Sequence, residues 1–209
     1  MMYVPAHFRE EDLVNIHTLV RTNPFGMLLT NSEKVPEVTH LPMMLETGES
    51  KDSILGHLAF ANPHAQKIID GTEALAVFSG IHAYISPRWY VDTNLVPTWN
   101  YQVVHAQGTL NRIEDPRLLM KLLDELSHEH ESGSKKPWKA DWNNEKISSL
   151  LKAIVGFKLK VECWEAKSKL GQNRAPADRG SLEKHLAMSK NSSKRRLAEE
   201  MNKRIETKQ

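Results

Sequence analysis

The chain has 209 residues, 40% apolar and 26% charged with a formal charge of +2, the balance of a soluble protein with one substantial core, or one domain plus an appendage. That excludes a chain kept unfolded by its own charge, and it gives no strong whole-molecule pull toward nucleic acid or membrane. A single cysteine, Cys163, excludes a disulfide framework or a cysteine-based metal site within one chain, and no apolar run approaches the roughly 20 residues of a membrane-crossing helix.

The opening MMYVPAHFREED turns charged almost at once and lacks the pattern of a secretion signal, so a cytoplasmic location is expected. Arg9 to Thr22 reads as an amphipathic helix with Glu10, Glu11 and Asp12 in its first turn and Leu13, Ile16 and Val20 as its stripe. Asn23-Pro24 ends it, and Phe25 to Thr30 is a short apolar strand. From Val38 to Leu45 the residues alternate, with Leu41, Met43 and Leu45 on one face and His40, Pro42 and Met44 on the other. A turn at Gly48, Glu49 and Ser50 leads to a strand over Ile54 to Phe60, and Asn62-Pro63 opens a short helix through Ile69.

Glu73 to Ser79 and His82 to Ser86 read as two strands joined by a turn at Gly80, the second broken by Ser86-Pro87. Trp99 to Ile113 is a long strand that places Trp99, Tyr101, Val103 and His105 on one face. Asp115-Pro116 starts a helix carrying Leu118, Leu119, Leu122, Leu123 and Leu126 at helical spacing. A polar loop over Ser132 to Lys139 and a short helix over Asn144 to Ala153 follow. Phe157 to Trp164 alternates clearly, with Phe157, Leu159, Val161 and Cys163 inward and Lys158, Lys160 and Glu162 toward water. After a loop over Gly171 to Gly180 come two helical segments broken near Asn191-Ser192-Ser193. From Ser181 onward eight Lys and Arg (Lys208 the last) stand against four Glu, so a basic tail follows a nearly neutral body.

Six to eight strands joined by turns or short helices predict a mainly β or α+β fold, an antiparallel barrel with peripheral helices. Residues 1–170 are read as the barrel domain and 171–209 as a C-terminal loop with a basic helical extension. There is no G-x-G-x-x-G, no P-loop and no G-x-S-x-G elbow. His128 and His130, two apart on a helix, point in different directions and do not chelate one ion.

The chemistry-bearing residues cluster on neighbouring predicted strands. His40 lies near Pro42, His57 follows Gly56, and Asn62-Pro63-His64 starts a helix. His82 and Tyr84 precede Pro87-Arg88-Trp89-Tyr90, and Trp99-Asn100-Tyr101 and His105 complete the set. Such a set suits a flat aromatic ligand with polar edges, its face on the rings and any phosphate on a cation or a helix N-terminus. The same rings equally suit a subunit seam that holds no ligand, and strand histidines are also common as satisfied core residues.

The segments M-Y-V-P-A-H-F, T-H-L-P, G-H-L-A-x-A-N-P, F-S-G-x-H-A-Y-I-S-P-x-W-Y, V-P-T-W-N-Y-x-x-V-H and K-L-G-Q-N-R-A-P-x-D-R occur in order from Met2 to Leu186. In them the chain resembles the PaiB-type family of FMN-binding negative transcriptional regulators. The resemblance implies a flavin-type split β-barrel and a homodimer with its ligand cleft at the subunit interface. It also implies repression of sporulation and of degradative-enzyme synthesis, with FMN as cofactor and no catalytic residue. Carried over by position, His40, Pro42, His57, Asn62, His82, Tyr84, Arg88 and Tyr90 would bind the cofactor, with Lys169 in the late loop of the pattern. Trp99, Tyr101 and His105 would reach across from the partner. Where the family carries a basic residue this chain has Phe60, with Lys67 or Arg88 as replacement cations, and Ile81 stands where the family has proline. The split barrel leaves other roles open: an FMN-dependent oxidoreductase of the pyridoxamine-phosphate-oxidase-like superfamily, or a protein holding haem through a histidine. The basic tail reads as a solvated helix end or as a DNA-phosphate contact.

Overall fold

A computed structural model describes residues 2–49 and 51–206, with side chains through Lys203; Ser50 of the expected turn and Lys208 of the basic tail lie outside the described residues. The chain forms two compact units, one of Val20–Phe78 and His105–Trp164, the other of Met1–Leu19, Ser79–Val104 and Glu165–Gln209. Among the described residues there are seven strands: β1 (Arg9–Glu10), β2 (Phe25–Thr30), β3 (Glu37–Glu46), β4 (Ser53–Ala59), β5 (Glu73–Ile85), β6 (Thr98–Ile113) and β7 (Ile154–Lys169). The α-helices are α1 (Leu13–Thr22), α2 (Pro116–Glu131), α3 (Glu145–Ser149), α4 (Pro176–Ala187) and α5 (Ser192–Glu206).

The first unit is a closed antiparallel barrel. Its strand order runs β7-β4-β3-β2-β5-β6, and a further pairing of β6 with β7 closes the ring. Closure removes the free sheet edges that would otherwise invite pairing with other chains. Register fixes what fills the interior: Met43 stands opposite Gly56, Gly56 opposite Phe157, Leu45 opposite Ile54, and Ile54 opposite Leu159. Leu28, Leu41, Phe78 and Leu58 are buried with them. This is the period-2 alternation that β3 and β7 announce in the sequence. At the β6–β7 closure, a Cβ on Gly108 would lie 1.8 Å from the Lys160 carbonyl oxygen, so only glycine lets the two backbones meet there.

Outside the barrel wall, α2 lays Leu122 and Leu126 against Leu55, with Met44 and Ile113 at the margin. Its start is as expected: the Asp115 carboxylate accepts from the backbone N–H of Arg117 at 2.8 Å and Pro116 occupies the first turn.

The second unit contains the remaining lengths of β5, β6 and β7, together with β1, most of α1, α4 and α5. Ala83, Ile85, Tyr90 and Leu170 pack with Leu182 and Leu186 of α4 and with Leu197, Ala198 and Met201 of α5. Asp178 in the first turn of α4 ties down the loop that leads into β6, its Oδ1 accepting from the backbone N–H groups of Val91 at 2.8 Å and Asp92 at 3.0 Å. β1 pairs antiparallel with β7, Arg9 opposite Lys167 and Glu10 opposite Ala166.

Four local expectations change. Arg9 and Glu10 form a strand rather than the first turn of α1, because β7 offers them a ladder that no short-range signal reveals. The two strands expected around Gly80 are one continuous β5. Gly80 lies within the strand rather than in a turn, and a Cβ there would be tight against the Gln102 side chain, at 3.1 Å. Cys163 is exposed rather than inward, because the alternation of Val155, Phe157, Leu159 and Val161 stops there: none of residues 162–165 is buried, and burial resumes over Ala166, Lys167 and Ser168. The expected Gly171–Gly180 loop gives way to α4 at Pro176.

Candidate functional site

In the barrel unit, His40 is exposed on the outer face of β3 and stacks on Phe25, with ring centroids 6.5 Å apart. Phe25 stands opposite half-buried Pro42 in the β2–β3 register. His57, on β4 opposite Gly156, is half-buried, and its Nδ1 is shielded from water with no hydrogen-bond partner among the described residues. Burial holds its pKa below the usual 6.5, so the ring is neutral near neutral pH. His105 is half-buried on β6.

Asn62 has a defined structural task. Its Oδ1 accepts from the backbone N–H of His64 at 3.0 Å, capping a short 3-10 helix, while its Nδ2 donates to Thr39 Oγ1 at 3.1 Å. His64 is 3% exposed and sits between two hydroxyls, Thr39 at 2.8 Å from Nδ1 and Thr30 at 2.9 Å from Nε2. Desolvation lowers the His64 pKa, opposed by the charge of Glu37. With one ring nitrogen donating and the other accepting, the neutral imidazole fits between the hydroxyls without an unpaired atom. This network was not visible in the sequence, because its members lie on β2, β3 and a helix.

The second unit assembles the aromatic set more tightly. β5 presents His82 and Tyr84, and β6 presents Trp99 beside them. The Trp99 ring centroid lies 6.3 Å from that of His82 and 6.1 Å from that of Tyr84, the latter pair edge to face. All three rings are exposed, Trp99 by 53% and Tyr84 by 43%. Strand alternation explains the grouping: His82 and Tyr84 are two apart on one strand and so share a face.

Next along β6, Tyr101 lies under the Lys167 ammonium at 5.2 Å from the ring centroid. Lys169, two residues further on β7, donates to Thr98 Oγ1 and sits 5.8 Å from the Phe8 ring centroid. Burial lowers the Lys169 pKa, partly offset by Tyr101 and reinforced by the like charges of Lys167 and Arg174. Arg88 is exposed, with its backbone N–H and its Nε directed at Ser86 Oγ. Tyr90 is 8% exposed inside the helical cluster, where Arg174 lies 5.4 Å from its ring centroid. Burial raises the Tyr90 pKa, against the pull of Arg174.

Thus His82, Tyr84 and Trp99 are brought into one surface, Tyr101 and Lys169 share a lysine-lined stretch, and Tyr90 is enclosed. Lys167 escaped the sequence reading. Its signal is parity, since Lys167 and Lys169 stand two apart on one strand.

A family profile described as "Putative FMN-binding domain" matches residues 2–163. The Bacillus subtilis "Protease synthase and sporulation protein PAI 2" is 36% identical over 205 residues, covering 98% of each chain. Among solved structures, an FAD and heme binding protein from Mycobacterium smegmatis superposes with a TM-score of 0.61 at 15% identity, covering 77% of this chain and 73% of its own. The flavocytochrome Anf3 from Azotobacter vinelandii gives 0.59 at 13% identity, covering 79% and 72%. At such identities the two structures speak for the fold, a flavin-type split barrel. The barrel closure and the near full-length match together place this chain in the PaiB-type family of FMN-binding domains.

Proposed function

We propose that the protein is a homodimeric, FMN-binding regulator that represses transcription, in the manner of a negative regulator of sporulation and degradative-enzyme synthesis. The observation that carries the flavin part is the exposed platform of Trp99, Tyr84 and His82 on a domain of an FMN-binding family. Large rings left open to water lose the burial that normally justifies them, and a flat isoalloxazine ring restores it. The residues fit the group: aromatic faces for the ring, imidazole edges for its polar rim, and cations on β7 for an anionic tail. When bound, FMN would supply a redox-active ring, so a regulatory response to cellular redox state is within its chemistry. His82, Tyr84, Trp99 and Tyr101 are the contacts this reading favours, and His40, Pro42, His57, Asn62, Arg88, Tyr90, His105 and Lys169 remain further contacts by position in the family pattern.

The regulatory part is supported by the full-length similarity to a sporulation protein and by the basic start of α5, Lys194-Arg195-Arg196. Two tails in a dimer would add salt-sensitive attraction to DNA phosphates. Among the described residues, no helix is long and apolar enough to cross a membrane.

Gel filtration with light scattering after incubation with FMN tests both halves of the reading. Flavin absorbance is expected to co-elute with protein of twice the chain mass; colourless protein eluting as single chains contradicts it. Selection of bound duplexes from a random pool at low salt is expected to enrich one sequence, and no enrichment would remove direct repression.

A further inference from the structure

Lys167 is 8% exposed, and Lys169 beside it on the same face of β7 is half-buried. Burying an ammonium normally requires a carboxylate partner, because desolvation is costly and like charges nearby add to the cost. Among the described residues, neither lysine has an ion pair. The Lys167 Nζ donates only to the backbone carbonyl of Tyr3 at 3.3 Å, and the Lys169 Nζ only to Thr98 Oγ1. Each ammonium carries three N–H donors, so both retain donors without an acceptor among the described residues.

The surroundings hold these cations in place rather than neutralise them. Lys167 lies 5.6 Å from the Tyr3 ring centroid as well as 5.2 Å from that of Tyr101, and Phe8 backs Lys169. Ring faces orient an ammonium and exclude water from one side without discharging it. Arg174, whose guanidinium is stacked on Tyr90 and likewise makes no ion pair among the described residues, adds a third positive charge to the field at Lys169.

We infer that Lys167 and Lys169 form an oxyanion site, built for a phosphate group of a small molecule, with the Tyr3, Tyr101 and Phe8 rings as its walls. A doubly charged group would neutralise both ammoniums and take up their unused donors in charge-assisted hydrogen bonds, the strong kind. In its FMN arm this inference rests on the flavin reading, which gives the same β7 cations to an anionic tail; the lysine pair without carboxylate partners stands apart from it. The phosphate could be that of FMN itself or belong to a separate phosphorylated ligand, and the test separates the two.

The experiment follows the thermal midpoint of the full-length protein with inorganic phosphate against sodium chloride at matched ionic strength. Phosphate stabilises many proteins by exclusion, so the quantity read is the difference between wild type and Lys167→Met or Lys169→Met. Wild type is expected to gain more than either variant, with the apparent phosphate affinity falling at least about tenfold in each, the scale of losing one charge-assisted contact. Lys167→Arg keeps the charge and is expected to retain most of the response, which guards against a mere folding defect. Equal responses in wild type and the methionine variants overturn the site. Saturating FMN, but not riboflavin, abolishes the phosphate response if the flavin's own phosphate is the ligand; a response that survives FMN assigns the site to a separate phosphorylated molecule. Riboflavin binding without any specific phosphate response sinks this inference alone, and a specific phosphate response in a protein that binds neither FMN nor riboflavin sinks the flavin reading alone.

Discussion

Gly56 stands directly opposite Phe157 in the β4–β7 register, and a Cβ at Gly56 would come within 2.8 Å of the Phe157 ring. The ring fills the barrel because the glycine makes room. Gly56→Ala is therefore expected to destabilise the protein by about 1–3 kcal/mol, the usual range for overpacking a filled core. Urea denaturation checks it. The double variant with Phe157→Leu is expected to recover part of the loss, since the clash is with the ring itself.

His57 and His64 both have pKa values held below 6.5 by burial. A depressed histidine pKa means the unfolded chain takes up the proton first as pH falls. The stability from these two groups is thus fully present above about 6.5 and declines as pH drops toward their folded-state values. His64→Gln is expected to flatten this decline as well as lowering stability, because Thr30 and Thr39 lose their shared partner. Urea midpoints from pH 5 to 8 give the comparison; an unchanged slope in the variant would show that His64 does not titrate as described.

Asp178 answers for two backbone N–H groups with one oxygen. Asp178→Ala leaves both without their acceptor and is expected to cost about 2–3 kcal/mol, whereas Asp178→Asn keeps an oxygen at that place and costs less. Hydrogen exchange at Val91 and Asp92 is the direct readout, with faster exchange expected in the alanine variant.

The barrel was legible where burial follows local rhythm. Leu41, Met43 and Leu45 declare the inner face of β3, and Asp115-Pro116 declares the start of α2. What escaped was set by distant partners. Arg9 pairs with Lys167 across the chain, and no window around Arg9 contains that information. Gly80 carries no positive φ and lies within β5, tight against Gln102, not in the reversal its neighbours suggest. Cys163 was misplaced because a period-2 reading assumes that the alternation continues, while on β7 it breaks off after Val161.

The candidate site was legible as a list of rings and only partly as a place. His82, Tyr84 and Trp99 group as strand parity implies, with centroids within about 6.3 Å. Asn62 and Tyr90 look the same in the sequence, yet one caps a helix end and the other is enclosed among α4 and α5 side chains. Nothing in residue type distinguishes an open ring from a buried one; only the packing does.

Titration of FMN fluorescence with purified protein, wild type against Trp99→Ala, tests the flavin platform most directly. Wild type is expected to quench saturably, with Trp99→Ala, an exposed position that leaves the core intact, weakening affinity by about 10-fold, the scale of one aromatic stacking contact. Quenching that is absent in wild type, or identical in the two proteins, would contradict a flavin seated on Trp99.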